Sequence, residues 1–105
     1  MRILLIGAGG VGAAFAAIAA RRDFFETIVV ADYDLARAER AADADERYVA
    51  AQVDASSAEV IAGLCRDHGI THVMNAVDPV FNMSIFGGAF AAGADYLDMA
   101  MSLSK

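Results

Sequence analysis

The 105-residue sequence has one cysteine, one proline, no tryptophan, and only eight lysines and arginines against fourteen acids. The lone Cys65 excludes an intrachain disulfide and fits a reducing compartment, so a cytoplasmic location is expected. A single proline leaves little to interrupt regular elements, and short loops between helices and strands are expected. The net charge of −6, with no basic run beyond Arg21-Arg22, argues against nucleic acid or an anionic membrane as partner. It leaves open an anionic small molecule held by backbone N–H groups. His68, His72 and Cys65 lack metal-site spacing. The two histidines read as structural, and Cys65 falls on the apolar stripe of its helix.

Hydrophobic residues make up 58% of the chain, enough for one domain with a modest core. From Ile3 to Ala20 there is no charge, which imitates a signal peptide or a membrane span. The glycines in its middle, and the change there from strand to helix period, argue against both readings.

Those glycines are the main signal. Gly7-Ala8-Gly9-Gly10-Val11-Gly12 follows the apolar run Ile3-Leu4-Leu5-Ile6, and Asp32 ends a second run, Ile28-Val29-Val30-Ala31. This is the G-x-G-x-x-G dinucleotide fingerprint with its acidic partner. Gly7 serves the sharp turn, Gly9 the close approach of backbone to a pyrophosphate, and Gly12 tight helix packing. The N–H groups at the helix start favour the phosphates, and Asp32 accepts from the ribose hydroxyls. A carboxylate there suits NAD; Tyr33 stands where an NADP enzyme often has arginine, although NADP stays possible. Arg37 and Arg40 on the next helix can reach back to a phosphate, with a solvated helix face the simpler reading.

The remaining pattern alternates strand and helix. Strands are expected at Arg2–Ile6, Thr27–Ala31, Arg47–Val53, Thr71–Ala76 and Asp95–Asp98. The first helix is expected over Gly10–Arg22, with Val11, Phe15 and Ile18 on the sheet. The second runs over Leu35–Ala44, capped by Asp34. A capping box, Ser56 with Glu59, opens a third helix that buries Val60, Ile61, Leu64 and Cys65 and stops at Gly69. The fourth follows Asp78-Pro79, with Phe81, Ile85, Phe86 and Phe90 near one face, and ends at Gly93. This order predicts an α/β fold, a doubly wound parallel sheet ordered 3-2-1-4-5, with its ligand crevice beyond the strand C-termini. A sixth strand and a substrate domain are not visible, so the chain is expected to be the cofactor half of a larger, two-domain enzyme.

Other candidates cluster at strand ends. Val53, Asp54 and Ala55 follow the third strand where adenine would lie, Asp54 serving the adenine amino group or supporting the loop. Asn75, Ala76 and Val77 leave the fourth strand at the crevice, Asn75 bonding a ribose hydroxyl or closing an Asx turn. Asp98 and Ser102 end the last strand on the same side, as substrate-side contacts or as strand-end caps.

The order of these segments resembles the N-terminal domain of the saccharopine dehydrogenase family. The opening residues through Gly12, Val30-Ala31-Asp32-Tyr33-Asp34 and Gln52-Val53-Asp54-Ala55 carry part of the likeness. More specific are Val73-Met74-Asn75-Ala76-Val77-Asp78-Pro79 and Ala91-Ala92-Gly93-Ala94-Asp95-Tyr96-Leu97-Asp98. The latter pair is similar to saccharopine reductases, carboxynorspermidine dehydrogenases and homospermidine synthases. The resemblance implies NAD(P)-linked hydride transfer through an imine, making or cleaving a secondary amine of an amino acid or polyamine-like substrate. It implies that Gly7, Gly9, Gly10, Val11 and Gly12 hold the pyrophosphate, Asp32 the ribose, and Asp54 and Ala55 the adenine edge. Residues Asn75 to Pro79 would lead to the nicotinamide. Substrate groups would lie mainly in a second domain, leaving the catalytic residues open, and a homodimer of the full-length protein is compatible with it. A regulatory nucleotide-binding module, as in potassium-transport regulators, is the alternative. An epimerase or short-chain reductase would predict a Tyr-x-x-x-Lys pair, which does not occur.

Overall fold

The apolar stretch Ile3-Leu4-Leu5-Ile6 forms the middle of the sheet, each residue almost wholly removed from water. The structure, a computed structural model, describes residues 1–98. Its strands are β1 (Arg2–Ile6), β2 (Thr27–Asp32), β3 (Tyr48–Gln52), β4 (His72–Asn75) and β5 (Asp95–Asp98). Its helices are α1 (Gly10–Ala19), α2 (Leu35–Ala42), α3 (Ala58–His68) and α4 (Asn82–Ala91), with a 3-10 turn at Pro79–Phe81. The strands pair in parallel in the expected order, β3-β2-β1-β4-β5.

Successive side chains on a strand point to opposite faces, and the core divides accordingly. Leu4, Ile6, Val29 and Val73 pack with Ile61, Cys65, Ile85 and Ala89 of α3 and α4. Ile3, Leu5, Ile28 and Val30 pack with Ala16 and Ala19 of α1 and Ala38 of α2. Since β1 registers Ile6 against both Ala31 and Asn75, β2 and β4 end level with the glycine loop. The crevice is set there.

Three packing expectations are corrected. In α1 the sheet face is Gly12, Ala16 and Ala19, while Ile18 is 62% exposed and the helix ends before Arg22. A helix drawn this close to the sheet has room there for hydrogen and methyl; Phe15 packs half-buried against the same core, and Ile18 turns outward. In α3 the N-cap is Ser57, whose hydroxyl accepts from Val60 N–H at 3.2 Å; Ser56 is engaged by Asp54 instead. Ile61, Ala62 and Cys65 are its buried residues, and Val60 is exposed. In α4 the buried residues are Ile85, Gly88 and Ala89; Phe86 and Phe90 stack on each other at 6.2 Å with exposed edges. Asp34 caps α2 as expected, accepting from Ala36 and Arg37 N–H, and Gly69 ends α3 in the left-handed conformation.

At the sheet's far end, Arg47 closes the loops. Its guanidinium donates to the Asp45 carboxylate at 2.7 and 2.9 Å and to the carbonyls of Ala20 and Arg22. It also lies over the Phe25 ring, 4.2 Å from the centroid. The Arg47 bonds hold the Asp45 carboxyl well below its ordinary value, at about 2.

Candidate dinucleotide site

The site grows from the turn between β1 and α1. Gly7 has φ +105°, and a Cβ there would stand 2.6 Å from Val77 Cγ1 and 2.9 Å from the Ala76 carbonyl oxygen. A Cβ on Gly12 would meet the Gly7 carbonyl oxygen at 1.8 Å, so the helix approaches the strand only with glycine there. Gly9 and Gly10 differ: a Cβ on either would meet nothing within 4 Å. The outer surface of the loop is therefore open space, the cradle a pyrophosphate needs. Gly9 caps α1 without any side-chain bond, and the first turn, which includes Val11, carries no acid. Its N–H groups have no intrahelical partner and attract an anion.

Asp32 ends β2 and is 8% exposed. Its Oδ2 accepts from Ala8 N–H at 2.7 Å and its Oδ1 from Asp34 N–H at 2.9 Å. The carboxylate thus ties the glycine loop to the β2–α2 turn, and its free lone pairs border a cavity of about 510 Å³. That volume lies within the range of small-ligand sites. Tyr33 and Arg37 form one wall of the cavity, Val53, Asp54 and Ala55 another, and Val77 and Phe81 a third.

Local bonds fix these walls. Asp54 Oδ1 accepts from the N–H and hydroxyl of Ser56, and both bonds hold its carboxyl below the usual range. The carboxylate therefore supports its own loop while facing the cavity. The Ala55 carbonyl accepts from the Ser84 hydroxyl of α4. Asn75 is fully buried and does not border the cavity. Its Nδ2 donates to Asn82 Oδ1 at 2.8 Å and to the Tyr96 hydroxyl at 2.9 Å, and its Oδ1 accepts from Val77 N–H at 3.0 Å. Of the two roles open to Asn75 in the sequence, the Asx turn is the one formed. Ala76 backs the loop, its carbonyl against Gly7 and its methyl towards Gly12. Tyr96 in turn donates to Asp98 Oδ2 at 3.3 Å. Ser102 lies outside the described residues.

Val53 lines the cavity together with Asp54 and Ala55, as their place after the third strand suggests, and Arg37 borders it from α2; Phe81 was not foreseen as a wall. Phe81 ends the 3-10 turn that Asp78 caps and Pro79 starts, so it borders the cavity while still packing on the core that holds Ile85. His72 sits at the other end of β4, 3.4 Å from Asp95. Among the described residues no group of three His, Cys, Asp or Glu side chains could hold a metal. No described helix is long and apolar enough to cross a membrane.

A doubly wound parallel sheet, with an open glycine loop and a nucleoside-sized cavity at its switch point, defines a dinucleotide-binding domain. Residues 3–105 match the family described as the saccharopine dehydrogenase NADP binding domain, and the chain belongs to that family. It is an NAD(P)-binding domain. Similar solved structures include saccharopine dehydrogenase (L-Glu forming) from Saccharomyces cerevisiae, at TM-score 0.79 and 21% identity. The match covers 92% of this chain and 21% of that one, so the chain spans about a fifth of the yeast enzyme's length. A putative epimerase from Bacteroides thetaiotaomicron matches at TM-score 0.71 and 25% identity, over 92% of this chain and 45% of that one. Quinate dehydrogenase from Corynebacterium glutamicum, in complex with NAD, matches at 0.61 and 22%, over 91% and 43%. At these identities the structural matches show a shared fold. No protein of curated function matches the sequence.

Proposed function

We propose that this domain is the cofactor half of an oxidoreductase that moves a hydride between nicotinamide and the imine or secondary amine of an amino acid or polyamine-like substrate. The observation that carries the reading is the cavity joining the open glycine loop to Asp32 and the Asp54-Ala55 turn. The family membership supports the redox class, and the specific amine chemistry rests on the Asn75–Pro79 and Ala92–Asp98 segments.

In this reading the open face of Gly9, Gly10 and Val11 takes the pyrophosphate through backbone N–H groups. Asp32 accepts from the ribose hydroxyls, and the apolar walls of Val53, Ala55 and Val77 exclude water from the adenine. Tyr33 shields the outer edge of the cavity. The nicotinamide, when bound, supplies the hydride. The substrate groups come mainly from a second domain, and the protein works in the cytoplasm. Nothing among the described residues is assigned as general acid or base.

Calorimetric titration of the chain with NADH and NADPH tests this. The expected result is binding of both, with NADH bound by wild type and weakened by Asp32→Ala. Asp32→Ala also releases Ala8 and Asp34 N–H, at a stability cost of about 1–3 kcal/mol. Unchanged NADH affinity in a folded Asp32→Ala variant removes Asp32 from the ribose site. No binding of either dinucleotide overturns the assignment of the cavity.

A further inference from the structure

Ser84 of α4 joins two walls of the Asp32 cavity that come from distant parts of the chain. Its hydroxyl donates to the Ala55 carbonyl, 29 residues away, and lies 3.0 Å from the Phe81 carbonyl. Ala55 belongs to the turn after β3 and Phe81 to the 3-10 turn before α4, and both border the cavity. Ser84 itself does not border it. Among the described residues, no other hydrogen bond links residues 53–57 to residues 77–84.

Helix packing fixes what lies on either side of this bond. A Cβ on Gly88 would stand 2.7 Å from the Ile61 side chain, so α4 and α3 are in close contact one turn beyond Ser84. Asn82 accepts from the buried Asn75 and pins the start of α4 to β4. Between these two anchors, the Ser84 hydroxyl has one proton and two carbonyls in reach. Given to Phe81, the proton only closes a turn at the start of its own helix. Given to Ala55, it ties the two walls together. The bond is only partly buried, so water can take its place and the fold does not depend on it.

We infer that Ser84 is a positioning residue that sets the separation of Ala55 and Phe81, so that a flat purine base is gripped on both faces. This rests on the dinucleotide reading above, which places the adenine at the Asp54-Ala55 turn. A base between a methyl group and a phenyl ring is held by dispersion and stacking, and both fade with distance. An opening of about 0.5–1 Å forfeits roughly a quarter to a half of that attraction. The ribose and pyrophosphate are held by Asp32 and the glycine loop, so their share of the binding does not pass through Ser84.

The test is titration of the 105-residue chain and its Ser84→Ala and Ser84→Thr variants with NADH, 5′-ADP and 5′-CDP. The two diphosphates share ribose and pyrophosphate, so their affinity ratio reads the base alone. Wild type is expected to prefer ADP to CDP by about tenfold, the smaller pyrimidine having less face to stack. In Ser84→Ala the ADP and NADH affinities should fall about fivefold, with CDP within about twofold, so that the preference narrows. Ser84→Thr keeps the hydroxyl and should stay within about twofold of wild type for all three. Thermal melts show that each variant folds. Equal loss for ADP and CDP in Ser84→Ala, or no loss for either, overturns the proposal, as does Ser84→Thr behaving like Ser84→Ala. Wild type that binds NADH yet takes ADP and CDP alike overturns it and leaves the dinucleotide reading intact. Wild type that binds none of the three overturns both.

Discussion

Gly9→Ser separates the glycine that faces the ligand from those that hold the fold. Gly9 caps α1 with φ −78° and ψ −163°, an extended conformation open to any residue. Its Cβ would point into empty space. A serine hydroxyl there can accept from the N–H of Val11 or Gly12, a bond the helix now lacks. Serine caps are better than glycine by a few tenths of a kcal/mol, which in a domain of this size raises the melting temperature by about 1–3 °C. The same hydroxymethyl occupies the space assigned to the pyrophosphate and takes its N–H donors. NADH affinity should fall at least about tenfold, or about 1.4 kcal/mol. Stability and binding therefore move in opposite directions.

Gly12→Ala provides the contrast. Its Cβ meets the Gly7 carbonyl at 1.8 Å, a backbone atom that cannot rotate away. Overpacking of about 3 kcal/mol outweighs the roughly 1 kcal/mol that alanine returns in helix propensity. The net loss, about 2 kcal/mol, lowers the melting temperature by about 8–16 °C. Thermal melts by circular dichroism and calorimetric titration read both variants. A Gly9→Ser protein that melts as expected yet binds NADH as wild type does would refute the placement of the pyrophosphate on this loop.

Two further outcomes follow from the buried bonds. Tyr96→Phe removes the oxygen that accepts from Asn75, leaving a buried amide N–H unpaired; denaturant titration should show a loss of about 1–3 kcal/mol, with weaker NADH binding because Val77 is held through Asn75. Asp45, held at about 2 against an ordinary 3.8, contributes stability that is complete above the ordinary value and lost as pH falls through the lower one. Melting temperatures between pH 4 and about 2 should fall more steeply in wild type than in Asp45→Asn, and parallel curves would exclude the Arg47–Asp45 contact as the cause.

The sheet order and the glycine loop were legible because strand period, turn residues and the distance to Asp32 agree with one another. The face of α1 was not, because hydrophobic periodicity assumes that large side chains go inward. Here the separation of helix and sheet is fixed by Gly12, and Ala16 and Ala19 are what fits. Ser56 and Ser57 are equivalent in sequence, and the choice of cap turned on the Asp54 carboxylate capturing the first of them. Arg37 and Arg40 are exposed on α2, as the solvated-face reading expects, and the same face borders the glycine loop, which nothing local in the sequence shows. Phe81 was expected on α4 and instead ends the 3-10 turn before it, which brings it to the cavity as well as to the core.

Asp32 and Asn75 are the two buried polar side chains among the described residues, and their positions are related. They end the strands on either side of β1, Asp32 one residue beyond and Asn75 at the level of Ile6, the last residue before the glycine loop. Asp32 takes the N–H of Ala8, immediately after Gly7. Asn75 takes the N–H of Val77, whose methyl presses on the space beside Gly7. One polar residue thus grips the loop from the β2 side, and the other fixes the wall that confines it from the β4 side. Burying polar groups is unfavourable unless every bond is made, and here none of their side-chain atoms is left unpartnered. Both therefore hold the loop in one shape before any ligand arrives, which reduces the ordering cost of binding. The open face of Gly9 and Gly10 is what that rigid frame presents.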